Sequence, residues 1–461
     1  MTQVHFRHDT ELPPGSTGLK VIVVGLGIGG IAAAVECHRR GHTVIGFEKS
    51  TGKTAVGDSL GIGFNAALVF DQWGGGSVAQ ALNRDRGMVE EMVIYDENGD
   101  LVAKSDVAGF DPGNGYLMWR YHAARAIEDH AQTLGLDLHY GVRVEEYWEN
   151  DHQAGIIVDG NRISADCVIV ADGVNSRGRS AIKGDTVKLQ DTGNVAFRGG
   201  FESGSLQNDP TTQWLFEGVE EQDRLIEYIG KNVLVMIGTG RNGKDIDDPT
   251  ETERYEAADV DEALRQISHW PVYDKIATVI GKMPERTCYK HRLFISDPIN
   301  EWVSPKGRMI MVGDAAHPMV PTLGQGASQA VEDSAVVAIC LQLCAGDVSM
   351  GLKAAQAIRA PRATLIQRAG VELLTAVHAN GSEDRTTFTR PYWIYLHDCQ
   401  RHAYQEYSKV VQSLKTGVPY SPTNIPAGAT WNVGHEAELG PKIQAFRAAI
   451  QAGGDTYTLL P

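Results

Sequence analysis

The sequence has no CxxC pair. Its six cysteines, at positions 37, 167, 288, 340, 344 and 399 of 461, fit reduced, buried thiols better than a disulfide framework. Positive charge is scarce: 42 Lys and Arg stand against 58 Asp and Glu, for a net charge of −16. That balance lacks the basic footprint of a nucleic-acid binder or of a protein held on anionic lipid. Long apolar runs are absent too. The longest, Val21 to Val35, has 15 residues, carries four glycines and is closed by Glu36, which is too short and too broken to span a bilayer. The polar first residues, MTQVHFRHDTELPPGS, show no secretory pattern, and the final TYTLLP is no lipidation signal. The histidines show no ligand spacing, so no metal site is expected. What remains is 42% hydrophobic and 22% charged, the composition of a globular chain long enough for two or three domains. It reads as soluble and cytoplasmic.

The first chemistry-bearing segment follows residue 19. Lys20-Val-Ile-Val-Val24 is a β-branched run, and Gly25-Leu-Gly27-Ile-Gly-Gly30 comes directly after it. Ile31 to Arg40 is rich in small helix formers, ends on two basic residues and is stopped by Gly41. Thr43-Val-Ile-Gly-Phe-Glu48 then reads as a second strand. In such a βαβ unit Gly25 allows the tight turn, Gly27 lets backbone amides approach a pyrophosphate at the positive helix end, and Gly30 permits close packing of helix on strand. Glu48 can accept hydrogen bonds from an adenosine ribose, favouring FAD or NAD over NADP at this site. A lone GxGxxG is weak in a chain with 51 glycines; strand, glycines, helix, strand and carboxylate in order are not. A second match, Gly238-Thr-Gly240-Arg-Asn-Gly243, runs into the polar Lys244-Asp-Ile-Asp-Asp-Pro249 with no small-residue helix, and reads as a hairpin turn.

Two more strand-to-turn motifs stand downstream. Asp166-Cys-Val-Ile-Val170 runs into Ala171-Asp172-Gly173-Val-Asn-Ser176-Arg-Gly-Arg179. Arg308-Met-Ile-Met-Val312 runs into Gly313-Asp314-Ala-Ala-His317-Pro318 and then Thr322-Leu-Gly324-Gln-Gly326-Ala327, with a helix expected from about Ala327 to Leu343. The set GxGxxG, ADGxxSxxR and GDAAHPxxPxxGQGxxxAxED resembles the single-component, class A FAD-dependent monooxygenases, a family that includes para-hydroxybenzoate hydroxylase, salicylate hydroxylase and many fungal enzymes of secondary metabolism. The match covers residues 20 to about 345.

The resemblance implies an α/β fold: a Rossmann-like FAD-binding domain of the para-hydroxybenzoate hydroxylase type, an inserted antiparallel-sheet substrate domain and a helical C-terminal region. The flavin-binding parts are expected at 1–80, 111–184 and 286–370, substrate-side segments at 81–110 and 185–285, and the aromatic C-terminal region at 371–461. It further implies that Asp314 bonds the ribityl chain, that Gly324, Gly326 and Ala327 place helix amides at the flavin pyrimidine edge, that Arg120 lies against the cofactor and that Gly61 belongs to a segment running along FAD. Asp172 and Gly173 resemble a motif tied to both FAD and NAD(P)H, although Asp172 equally suits a turn cap. Alternating runs at 195–201 and 225–229 suggest strands roofing the flavin. On these, Arg198 can bind a phenolate or steer a developing oxyanion, and Tyr228 can orient or deprotonate the ring. His317 falls in a loop near the flavin and is not expected to be a general base. Ser176 lacks a hydrolase elbow.

The mechanism expected from the resemblance is reduction of FAD by a transiently bound NAD(P)H, capture of oxygen as the flavin C4a-hydroperoxide, and transfer of one oxygen atom to an electron-rich aromatic substrate, a phenolic or indole secondary metabolite. A flavin oxidase or dehydrogenase, and a non-catalytic binding protein on the same fold, remain as alternatives; the intact Asp314 and Gly324 to Ala327 segment speaks against the second. Aromatic segments Arg390 to Asp398 and Trp431 to Glu436 are expected to wrap the flavin domain.

Overall fold

The computed structural model describes residues 18–51, 59–107, 109–184, 189–201, 203–241, 256–380 and 391–426. At its centre lies a five-stranded sheet in the order Met309–Met311, Cys167–Val170, Lys20–Val24, Thr43–Glu48, Asp137–Tyr140. Every neighbouring pair is parallel. Parallel strands covered on both faces need apolar side chains at every position rather than alternate ones, and Val21, Ile22, Val23 and Cys167 to Val170 are all fully buried. The helix Ile28–Arg39 follows the first strand directly. Its two terminal arginines do more than face a helix end: Arg39 and Arg40 both donate to the buried Glu36 carboxylate, at 2.6 and 2.5 Å, which also accepts from Trp73 Nε1 at 2.7 Å.

Against that helix packs a second, Gly326–Leu343. Small residues bring the two backbones together. A side chain on Gly29 would touch Ala330 Cβ at 3.0 Å, as would one on Gly313, and Ser334 Oγ donates to the Gly29 carbonyl at 2.8 Å. The helix Val348–Asn380 then crosses the boundary expected near residue 370, and Cys399–Thr416 completes the helical layer. All six cysteines are buried and unbridged. Among the described residues no helix is long and apolar enough to cross a membrane.

The substrate-side strands form two sheets. One is antiparallel, in the order Gln190–Arg198, Thr287–Ile295, Glu256–Asp259; its middle strand begins beyond the boundary expected at 285. The other runs Val233–Gly238, Leu225–Gly230, Glu91–Asp96, Leu101–Asp106. Here the expectation of an antiparallel sheet needs correction, because Leu225–Gly230 pairs with Glu91–Asp96 in parallel. A parallel pair requires a long crossover, and the flavin-side residues between the two strands supply it. A core of Ile226, Tyr228, Trp270, Ile276 and Cys288 joins the two sheets. Gly238 of the second GxGxxG ends a strand, and Thr239 bonds back to Arg224; the rest of that motif from residue 242, with Arg390 and Trp431 to Glu436, lies outside the described residues.

Candidate active site

The glycine loop is set by sterics. Gly25 has φ +90°, and a Cβ there would sit 2.4 Å from the Ala171 carbonyl oxygen. A Cβ on Gly30 would lie 1.7 Å from the Gly25 oxygen, so only glycine lets the first turn of the helix close over the loop. Gly27 differs: nothing stands within 4 Å of its missing Cβ. The helix has no side-chain cap and no acid in its first turn, which leaves its leading amides for an anion. Glu48, at the end of the neighbouring strand, accepts from Leu26 N at 2.8 Å and from Ser50 N at 3.0 Å. It therefore braces the loop, and each carboxylate oxygen keeps lone-pair capacity for a ribose hydroxyl.

The second motif holds the third. Asp172 Oδ2 accepts from Arg177 N at 2.9 Å, Gly178 N at 3.1 Å and Tyr147 Oη at 3.0 Å, so Asp172 holds the first amides of the helix Arg177–Lys183, whose cap is Ser176, accepting from Arg179 N at 2.9 Å. Burial, reinforced by the Asp172 charge, pushes the Tyr147 phenol well up, keeping it a donor. Gly173, at φ +81°, makes the turn between strand and cap. Arg179 reaches across to the third motif, donating from Nε to Ala315 O and from Nη2 to Asp314 O, both at 2.8 Å. This clamp leaves the Asp314 side chain exposed at the loop surface. Gly324, at φ +61°, turns the chain into the helix that begins at Gly326 and Ala327; that helix too lacks a side-chain cap, and the space beside Gly326 is open. Phe110 links this turn to the strand Ser59–Ile62, for its ring lies 2.8 Å from where a Gly61 Cβ would be and 3.0 Å from that of Gly324.

Behind the third motif lies a charge network that the motif spells only in part. Glu332 and Asp333 are wholly buried, as are Arg359 and Arg362 on the neighbouring helix. Arg359 bonds both acids, with Nε on Asp333 at 2.8 Å and Nη1 on Glu332. Arg362 donates to Glu332 at 3.0 and 3.1 Å and to the carbonyls of Trp393 and Ile394 at 2.9 and 2.7 Å. Asp333 Oδ2 also accepts from Gly313 N at 2.9 Å and faces His317 Nε2 at 2.6 Å. His317 is thus a buried support of the Asp314 loop. Two acids against two arginines leave no net charge. Burial opposes both carboxylates, but Arg362 and Arg359 hold Glu332 below its ordinary range, and His317 and Arg359 do the same for Asp333. Sequence reasoning quoted Glu332 and Asp333 within the motif without assigning them, and Arg359 and Arg362 carried no motif signal.

On the substrate side, the antiparallel register pairs Arg198 with Tyr289 and Ala196 with His291. Alternation puts these four on one face. The opposite face sends Phe197, Cys288 and Ala258 into the core shared with Tyr228. Burial first, then the charges of Arg198 and Arg120, depress the His291 pKa, with Asp314 opposing them; Arg198, Arg120 and Asp314 thus lie within electrostatic range of one imidazole. Arg120 opens the helix Arg120–Thr133, and its buried Nε meets no acceptor among the described residues. Tyr228 sits in the adjoining aromatic group, stacked on Tyr95 with ring centroids 5.4 Å apart. Its buried hydroxyl has no partner among the described residues, and burial pushes its pKa up to about 12. Trp119 and Phe197 join the two groups, since each packs on the Tyr228 core while the next residue is an arginine of the charged group.

These features fit FAD: open space at Gly27 and Gly326, two uncapped helix starts, an exposed Asp314 and an unpartnered Arg120 Nε. Gly27→Val should accordingly leave the apoprotein melting temperature unchanged while abolishing flavin retention, as read by calorimetry and by absorbance after gel filtration. A melting temperature lowered along with flavin loss would refute the reading of Gly27 as ligand-facing.

The comparisons agree with the geometry. Residues 18–370 match the FAD binding domain family. Asperlicin C monooxygenase of Petromyces alliaceus is 38% identical over 441 residues, covering 92% of this chain and 95% of that protein. Notoamide E oxidase notB' of Aspergillus versicolor is 37% identical, covering 89% and 94%. Among solved structures, CtdE in complex with FAD and a substrate superposes with a TM-score of 0.82 at 41% identity, covering 86% of this chain and all of that one. The chain belongs to the FAD binding domain family and is a FAD-dependent monooxygenase of the kind that serves fungal secondary metabolism.

Proposed function

We propose that the enzyme inserts one atom of molecular oxygen into an electron-rich aromatic secondary metabolite, phenolic or indole, with NAD(P)H as a transient electron donor. The observation that carries this reading is the strand face shared by Arg198 and His291, within electrostatic range of Arg120 and Asp314. FAD, when bound, stores the electrons taken from NAD(P)H and activates oxygen. The protein supplies the rest. Gly27 and the helix start above it hold the pyrophosphate, and Glu48 the ribose. Asp314 takes the ribityl chain, Gly324, Gly326 and Ala327 offer amides to the pyrimidine edge, and Arg120 and Gly61 flank the cofactor. Asp172 and Gly173 keep the second motif in place and, with Arg179, the loop that carries Asp314.

Arg198 stabilises negative charge developing on the substrate or its oxygen substituent. Tyr228 orients the ring: burial pushes its pKa up to about 12, so at neutral pH its hydroxyl carries a proton to donate in a hydrogen bond.

The test supplies the purified protein with NADPH or NADH, labelled oxygen, and asperlicin C, notoamide E and simple phenols and indoles as probes. One labelled oxygen atom per product is expected. Oxidised product without label would replace the monooxygenase reading of the substrate step with an oxidase one. Arg198→Ala should retain stoichiometric FAD and lose product formation by about a hundredfold to a thousandfold, the range for removing one transition-state donor. Unchanged turnover would remove Arg198 from the mechanism.

A further inference from the structure

We propose that Tyr395 is a positioning residue for the flavin, its hydroxyl fixing the turn that delivers the amides of Gly326 and Ala327 to the pyrimidine edge. This rests on the functional reading above, which gives that helix start its flavin partner, and it assigns a task to the aromatic segment around residue 395.

Tyr395 closes the short helical turn Tyr392–Tyr395 and is fully buried. Its Oη donates to the Leu323 carbonyl oxygen at 2.9 Å, across 72 positions. Leu323 ends the tight turn Pro321–Leu323, and Gly324 N donates back to the Pro321 carbonyl at 2.9 Å. The peptide joining Leu323 to Gly324 is therefore held at its oxygen by Tyr395 and at its nitrogen by Pro321. A planar peptide held at both polar atoms has its orientation set. Gly324 follows at φ +61°, a conformation that glycine enters and leaves readily, so the pinned carbonyl keeps the amides beyond it aimed in one direction.

The ring is seated as closely as the hydroxyl. A Cβ on Gly109 would stand 3.1 Å from it and one on Gly63 3.3 Å. Phe110, which lies against Gly61 and Gly324, meets it edge-on with ring centroids 5.3 Å apart. Behind the ring, Arg362 donates to the carbonyls of Trp393 and Ile394 while bonding Glu332 of the helix Gly326–Leu343. The chain of contacts thus leaves that helix at Glu332, passes through Arg362 and Tyr395, and returns through Leu323 and Gly324 to the helix's first residue. With both ends on one rigid element, the turn cannot swing without breaking a bond of this circuit. A reduced flavin carries negative charge on its pyrimidine ring and an oxidised one does not, so amides aimed there favour the reduced form. The pyrophosphate and ribose grips at Gly27 and Glu48 lie on other elements.

The test uses the full chain loaded with FAD isotopically labelled at the pyrimidine C2 carbon, with Tyr404→Phe as a matched control. Tyr404 Oη donates to Gln342 Oε1 at 2.8 Å near the far end of the same helix, so each variant loses one tyrosine hydroxyl bond. In wild type the C2 resonance should differ from that of free FAD. Without that difference the turn does not face the pyrimidine edge, and the flavin reading of the turn falls together with this proposal. Given that difference, Tyr395→Phe should keep stoichiometric FAD and move the C2 resonance towards the free value. It should also lower the equilibrium constant of two-electron flavin reduction, read against a reference dye, by about tenfold, the range for weakening one hydrogen bond to a charged group, equivalent to about 30 mV. Tyr404→Phe should leave both readouts at wild-type values even where its melting temperature falls. An unshifted reduction equilibrium in Tyr395→Phe, or an equal shift in both variants, would overturn the proposal and leave the flavin reading standing. Loss of bound FAD from Tyr395→Phe would overturn it as well, placing the hydroxyl in folding rather than in aiming the turn.

Discussion

Replacing Glu332 with alanine is expected to lower folding stability by about 3–5 kcal/mol, the range for breaking a buried ion pair from one side. The carboxylate takes hydrogen bonds from Arg359, Arg362, Asn65 and Gln329, and none of these groups reaches water. Without it, two guanidinium groups share the single charge of Asp333. Urea denaturation followed by flavin fluorescence measures the loss, and a change below about 1 kcal/mol would show that the network is dispensable. The same carboxylate gives the enzyme an acid limit. Its folded pKa lies below the ordinary value of 4.5, so its contribution is complete above that value and disappears as pH falls through the depressed one. Wild type should therefore lose stability on acidification below about pH 4.5, and Glu332→Gln, lacking this ionisation, should show a weaker dependence there.

Gly30→Ala should yield a protein that no longer retains FAD. The added methyl would stand 1.7 Å from the Gly25 carbonyl oxygen and 3.3 Å from Ala171 Cβ. Backbone lies on the near side, so the helix start or the glycine loop must move, and the uncapped amides of that helix start move with it. A loss of affinity of at least about a hundredfold, equivalent to about 2.7 kcal/mol, is expected in FAD titration of the apoprotein, together with a lower melting temperature. This second effect separates Gly30 from Gly27, whose side-chain direction is empty. Wild-type affinity in Gly30→Ala would show that the loop tolerates the displacement.

Where local geometry writes itself into sequence, the glycine turns were readable. Gly25, Gly30 and Gly324 hold backbone arrangements that larger residues would strain or block, and the strand before Gly25 is apolar from Val21 to Val24 because both faces are covered. Glu48 and Asp314 stand at fixed offsets from those glycines. What sequence could not supply are relations across distance. Arg359 and Arg362 look like any helix arginines until Glu332 is seen beside them. His291 is one of 15 histidines, and only the register with Ala196 puts it on the face of Arg198. The parallel pairing of Leu225–Gly230 with Glu91–Asp96 likewise depends on where a segment well over a hundred residues upstream folds back.

The seating of Ala330 between Gly29 and Gly313 has a consequence for how the enzyme is made. The glycine loop leaves the ribosome well before the helix that braces it, which is encoded some 300 residues later, with Ser334 bonded to the Gly29 carbonyl across 305 positions. The sheet closes in the same late manner, when Met309–Met311 joins Cys167–Val170. Such high contact order slows folding, because long loops must close before native pairings form. A nascent chain stalled at residue 300 should bind no flavin, and cofactor capture becomes a closing event of biosynthesis, following emergence of the helix Gly326–Leu343 from the exit tunnel.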